Sequence, residues 1–238
     1  ALPILLVGLV AGDGHLQARL RGPHGEELVR ARKVVLALGR DGSGEPRWPR
    51  WPSFDPDDPA QRARVMHSSD AIDFAALRGR RVAVLGAGAS AFDNAGEALE
   101  HGAAAVTMFV RRNHLPQVNK SKWASFPGFF HGFFDLPDAL RWDFFTYILN
   151  EQVPPPHESV LRCDAHPQFS IRFASPWRDV VADGEDGVVI VGPHGREQFD
   201  AAIVATGFSV APAHRAELAA FDARLLLWRD RISPWEDR

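Results

Sequence analysis

The residues best suited to chemistry lie in a run of small side chains, Gly86-Ala87-Gly88-Ala89-Ser90-Ala91. The spacing is that of the Gly-x-Gly-x-x-Ala phosphate loop of a dinucleotide site. There the first glycine makes a tight turn, the second lets backbone approach a pyrophosphate, and the alanine keeps the following helix close to its sheet. The free N–H groups and the dipole at the start of that helix favour an anion. Further on stand Arg111 and Arg112, at a place where NAD sites put Asp or Glu to accept from a ribose 2′-hydroxyl. A carboxylate repels a 2′-phosphate, whereas a guanidinium grips it with two hydrogen bonds. The pair therefore predicts NADP(H) as the ligand. The alternative is two surface arginines on a solvated strand end.

A phosphate loop is informative only between a strand and a helix. Arg81-Val82-Ala83-Val84-Leu85 reads as the strand, and Ala91, Ala95, Ala98 and Leu99 fall at helical spacing after the loop. Gly102 is placed to end that helix, and Ala105-Val106-Thr107-Met108-Phe109-Val110 reads as the next strand. Asp93, early in the helix, reads as a structural complement to the dipole. Asn119, Lys120 and Lys122 either extend the positive site or solvate a loop.

Composition narrows the class. A net charge of −3 gives no general attraction to nucleic acid or an acidic membrane surface. Cys163 is the single cysteine, which excludes an intramolecular disulfide, a Cys-x-x-Cys pair and a cysteine-rich zinc site. The histidines show no ligand spacing, so no metal is predicted. No apolar run approaches the roughly 20 residues of a membrane span, and a cytoplasmic setting is expected. The chain does not start with Met, so residue 1 need not be the natural start.

Two distant segments share a pattern. Leu20-Arg21-Gly22-Pro23-His24-Gly25-Glu26 is followed by Val34-Val35-Leu36-Ala37-Leu38-Gly39, and Ile190-Val191-Gly192-Pro193-His194-Gly195-Arg196 by Ala202-Ile203-Val204-Ala205-Thr206-Gly207. Each predicts a hairpin with a Gly-Pro-His-Gly turn, then a short buried strand ending on glycine. The second copy closes the unit that opens at Gly86. The first has too little chain before it for a phosphate loop, which predicts that a first nucleotide-binding half is missing.

With these pieces the chain resembles the flavin-containing monooxygenase and Baeyer–Villiger monooxygenase group of two-dinucleotide flavoproteins. Val35-Leu36-Ala37-Leu38-Gly39, with Pro46 and Pro49 beyond, resembles the strand closing the first part of their FAD domain. His67-Ser68-Ser69, just before the run from Leu77 to Val84, resembles their histidine-bearing linker into the NADPH domain. The stretch from Asp200 through Ala205, Thr206 and Gly207 to Phe208 resembles their terminal Ala-Thr-Gly motif. The resemblance implies an α/β fold: a Rossmann-like NAD(P)-binding domain with a parallel sheet, a β-meander and partial FAD-domain segments. It implies that residues 1–60 belong to an incomplete FAD-binding domain and 61–78 to a linker. Residues 79–207 would form the NADP(H) domain with an aromatic insert at 113–180, and 208–238 would return toward the FAD domain.

It further implies an oxidoreductase of monooxygenase type acting on a small molecule. NADPH would reduce FAD by hydride transfer and the reduced flavin would activate oxygen, with FAD bound only in the intact protein. No catalytic residue is assigned. His67 would lie near the nicotinamide or its ribose, or else in a surface loop. Rival readings are a thioredoxin-reductase-like dithiol enzyme, for which Cys163 lacks a partner, and an NADP(H)-binding sensing or interaction module without turnover. Residues 123–148 are strongly aromatic, with Pro127, Gly128, Gly132 and Pro137 breaking the first half and a helix expected from Leu136 to Leu149. This insert reads as a satellite core, a substrate lid, a partner surface compatible with a homodimer, or a membrane-surface contact.

Overall fold

A computed structural model describes residues 4–37, 44–183, 187–210 and 215–232. In chain order, β1 (Leu5–Gly12), β2 (His15–Gly22) and β3 (Gly25–Ala31) form an antiparallel meander. β4 (Gly44–Pro46) comes next, followed by α1 (Pro59–Arg62) and β5 (Val65–His67). β6 (Arg81–Leu85), α2 (Ala89–Glu100) and β7 (Ala105–Phe109) follow. Three helices come after them: α3 (Pro127–Gly132), α4 (Asp138–Glu151) and α5 (His157–Asp164). The chain then runs through β8 (Phe169–Arg172), a second meander of β9 (Asp179–Asp183), β10 (Gly187–Gly192) and β11 (Gly195–Phe199), then β12 (Ala201–Val204) and β13 (Phe208–Val210).

Two compact units result. One joins the residues up to Arg47 with those from Phe208 onward, and contains the first meander and the antiparallel pair β4–β13. The other runs from Trp48 to Gly207 and contains a five-stranded sheet of order β5-β12-β6-β7-β8, parallel throughout. This is the α/β, Rossmann-like parallel sheet that the sequence predicts. β5 lies within the stretch assigned to a linker and forms one edge of the sheet.

The sheet is buried on both faces, and the two-residue period of a strand sorts its side chains between them. Val82, Val84, Val106, Met108 and Ile203 pack against Phe92 and Leu99 of α2 and Cys163 of α5. Ala83, Leu85, Phe109, Ala202 and Val204 face Val180, Val188 and Ile190 of the second meander, with Trp51, Phe54 and Trp177 beside them. α5 is held to α2 by polar contacts as well. Ser159 Oγ donates to Asp93 Oδ1 at 2.7 Å, and the Arg162 guanidinium reaches Glu97 at 2.8 Å and Glu100. The Asp93 carboxylate thus anchors a neighbouring helix.

The repeat is real at its hairpins: Gly22 pairs with Gly25 and Gly192 with Gly195 in the same register. It does not extend to the strand that follows. Residues 33–37 form no strand, Val35 is 88% exposed, and Leu38 and Gly39 lie outside the described residues. A short parallel strand persists only where a neighbour takes up its hydrogen bonds. β12 has β5 and β6 for this, whereas residues 33–37 have no partner strand among those described.

The insert differs from expectation in its first half. Pro127 sits at the first position of α3, where a missing N–H costs nothing, so helix replaces the predicted break. α4 begins after Pro137, close to the expected start. Among the described residues no helix is long and apolar enough to cross a membrane.

Candidate dinucleotide site

Three strand ends converge at one edge of the parallel sheet. Gly86, just past β6, donates its N–H to Phe109 O at 3.1 Å. Ala205, just past β12, donates to Leu85 O at 2.8 Å, and Ser68, just past β5, to Val204 O at 3.0 Å. Ligands of open α/β sheets bind outside the carboxyl ends of the strands, where the chain order reverses. Here the reversal falls between β12 and β7, on either side of β6, and the glycine loop lies over it.

Gly86 is required on two counts. Its φ is +141°, and a Cβ built on it would lie 2.7 Å from Ala205 O and 3.2 Å from the Ala91 and Ala205 methyls. Ala205 and Ala91 are therefore the walls that close the turn. Gly88 differs: it is the N-cap of α2, exposed, with no atom within 4 Å of where a Cβ would stand. Ala89 and Ser90 are likewise exposed, and no side chain caps the helix. The first-turn N–H groups, which an α-helix cannot satisfy internally, thus open onto a space that a Cβ at Gly88 would begin to fill. This arrangement fits a pyrophosphate. Ala87 is half-buried and packs against the helix side of the core.

The two arginines separate. Arg112 Nη2 donates to Asn150 O at 2.7 Å, tying the end of β7 to the C-terminus of α4. The exposed Arg111 side chain has no hydrogen bond or ion pair among the described residues. Its backbone is nevertheless held on both flanks, because Ala174 N–H donates to Arg112 O at 2.8 Å and Ser175 N–H to Val110 O at 2.9 Å. This clamp follows β8 directly. Sequence reading missed it because β8 is four residues long and lies within the stretch 113–180 assigned to the aromatic insert.

His67 is not the surface-loop group that one of its two expected readings made it. It is fully buried at the end of β5. Nε2 lies 3.1 Å from Gly207 O, while Nδ1 is 2.7 Å from Ser69 Oγ and 3.3 Å from Ser69 N. One neutral tautomer satisfies all three, with Nε2–H donating to Gly207 and Nδ1 accepting from Ser69. Burial holds the imidazole pKa below its ordinary value, against the opposing pull of Asp70. Around it, Asp70 accepts from the His67 backbone N–H at 2.7 Å and pairs with Arg62 at 2.6 Å. The Arg62 guanidinium lies 4.4 Å from the centre of the Trp48 ring, and that ring stacks edgewise on His67. His67 is a positioning residue for the Ala205–Thr206–Gly207 turn, in which Thr206 is half-buried. Asn94, a helix residue that sequence reading passed over, links Ser90 O at 2.8 Å with the loop carrying Ser68.

The dithiol reading fails on Cys163. Its sulfur donates to Phe92 O at 3.3 Å within the core, and burial pushes the thiol pKa up to about 11. Among the described residues no group of three His, Cys, Asp or Glu side chains is placed to hold a metal.

A family model described as L-lysine 6-monooxygenase/L-ornithine 5-monooxygenase matches residues 11–153. An FAD-dependent urate hydroxylase from Xanthomonas campestris pv. campestris is 40% identical over 203 residues, which are 85% of this chain but 42% of that protein. The chain thus spans less than half the length of that relative. Among solved structures, an ornithine N-hydroxylase from Kutzneria sp. 744, with reduced FAD, NADP+ and L-ornithine, superposes with a TM-score of 0.63 at 18% identity. The match covers 87% of this chain and 54% of that one. L-lysine 6-monooxygenase from Pseudomonas syringae gives 0.61 at 20% identity, over 92% and 55%. At these identities the two structures establish a shared fold.

Proposed function

The chain belongs to the L-lysine 6-monooxygenase/L-ornithine 5-monooxygenase family, and from that premise we propose that it supplies the NADP(H) site of an FAD-dependent monooxygenase acting on a small molecule. The observation carrying this reading is the open space at Gly88 beneath an uncapped helix start, on the same sheet edge as the unpaired Arg111. In this reading the backbone of residues 86–90 binds the pyrophosphate and Arg111 binds the 2′-phosphate. Residues 1–47 and 208–238 belong with the FAD domain, and Trp48–Gly207, including the stretch expected as a linker, form the NADP(H) unit. The family and the urate hydroxylase relative support FAD as the partner cofactor. The described residues form a single glycine-rich strand-to-helix loop, so FAD is assigned to the intact protein.

NADPH and FAD, when bound, would supply the hydride and the oxygen activation that a monooxygenase needs. The residues described here orient the coenzyme. Ala91 and Ala205 fix the turn at Gly86, the 174–175 clamp fixes the backbone around Arg111, and His67 holds Gly207 in place. The test is calorimetric titration of the chain with NADPH and then NADH. Tighter binding of NADPH is expected. Equal affinity for both removes the 2′-phosphate role, and loss of both under conditions where the chain is folded removes the site. NADPH binding by the intact protein without flavin reduction would favour a sensing role over turnover.

A further inference from the structure

Helix α4 carries apolar side chains on every side. A helix of that kind is ordinarily buried, yet no residue of α4 is. Its inner contacts are already made: Trp123 packs on Phe129 and Phe144 at ring separations of 4.9 and 5.1 Å, and Phe129 packs on Phe133 at 5.1 Å. Phe126, Phe130, Phe134, Leu140, Tyr147 and Leu149 remain outside, Phe134 at 75% and Leu149 at 71% exposure. At about 200 Å² per such side chain, these six present roughly 700 Å². The largest apolar patch of an ordinary monomer is about 300–600 Å², and each partner in a stable interface contributes about 800 Å².

The charges of the insert indicate what covers it. Lys120 is paired with Glu151 at 2.6 Å, and Arg141 with Asp138. The side chains of Lys122, Asp135 and Asp143 have no ion-pair partner among the described residues. Asp143 lines one apolar groove together with Trp123, Leu140, Phe144 and Tyr147, and Lys122 precedes Trp123 in the chain. A two-fold contact sets residue i against j and j against i, so Lys122 and the groove-lining anion Asp143 can each be matched across the axis, with Asp135 left outside the groove lining. An acidic membrane surface is a poor fit, because residues 118–153 hold four acidic against three basic side chains.

We propose that the aromatic insert is a self-association surface, seating a second copy of this chain with Lys122 of each opposite Asp143 of the other. The proposal does not depend on the coenzyme reading. Sedimentation velocity at about 10 μM, where micromolar affinity is visible, tests it. The wild-type chain should be a dimer. Phe130→Asp should be monomeric there, with circular dichroism confirming its fold. Lys122→Glu and Asp143→Lys, both at exposed surface positions, should each weaken the dimer about tenfold, equivalent to about 1.4 kcal/mol. The double variant should recover it. A wild-type monomer overturns the proposal, as does a dimer indifferent to the charge reversals. Binding to anionic vesicles without self-association also overturns it.

Discussion

The two glycines of the phosphate loop share a residue type but not a duty, and single substitutions separate them. At Gly88 a Cβ meets nothing within 4 Å, so Gly88→Val should leave the fold intact and place two methyls where the pyrophosphate would lie. Calorimetry should show loss of both NADPH and NADH binding with the fold retained and the melting temperature lowered only by what valine costs at a helix N-cap. Retained affinity would mean that the loop is structural only. At Gly86 a methyl would overlap Ala205 O, and the backbone is in a region that disfavours any side chain. Gly86→Ala should therefore lower stability itself, by about 1–3 kcal/mol for the strained conformation, which urea denaturation would measure. Arg111→Ala carries the coenzyme choice. It should weaken NADPH binding by about 1–3 kcal/mol, the range for losing a charged hydrogen bond, and leave NADH unchanged. Arg112→Ala should instead loosen α4, since its guanidinium is spent on Asn150 O. A larger NADPH loss at Arg112 than at Arg111 would reverse these roles.

Among the secondary-structure elements, those that could be read from sequence advertise themselves by period. β6, α2 and β7 each keep one spacing throughout, and both faces of the strands are buried, so the apolar run and the glycine loop sufficed to place them. Gly102, with φ +89°, ends α2 as read. Residues 33–37 failed because β propensity without a neighbouring ladder makes no strand. β8 was invisible because Phe169-Ser170-Ile171-Arg172 is short and its pairing with β7 is a long-range fact. The insert resisted because an all-round apolar helix has no period to read. His67 was found for its likeness to a linker histidine, but its burial follows from β5 joining β12, which no local signal reports. β12 is the strand on which this assembly turns, being flanked by both β5 and β6. Ile203 at its centre is fully buried, so Ile203→Ala should cost about 2–5 kcal/mol. Denaturation followed by tryptophan fluorescence would show it, and a loss under 1 kcal/mol would place β12 at a yielding edge.

Over the whole molecule, the buried histidine links folding to pH. In the unfolded chain His67 titrates near its ordinary value of about 6.5. In the folded chain burial lowers that pKa, and both ring nitrogens are satisfied by the neutral form. Between the two values the unfolded state binds more protons, so stability rises with pH. The contribution is complete above about pH 6.5, is lost as pH falls through the depressed folded value, and then levels off. One proton sets the slope at no more than about 1.4 kcal/mol per pH unit. Other ionisable groups also contribute to acid sensitivity, so the measurement is a difference. Denaturation of wild type and His67→Gln is followed at a series of pH values from 8 downward. Glutamine can still donate to Gly207 O but cannot ionise, so the variant should start less stable at pH 8 and lose less on acidification. Parallel pH profiles for the two proteins would show that protonation of His67 is not what the folded state resists. The acid sensitivity would then have to come from elsewhere, with the Arg62–Asp70 pair beside it the next group to remove.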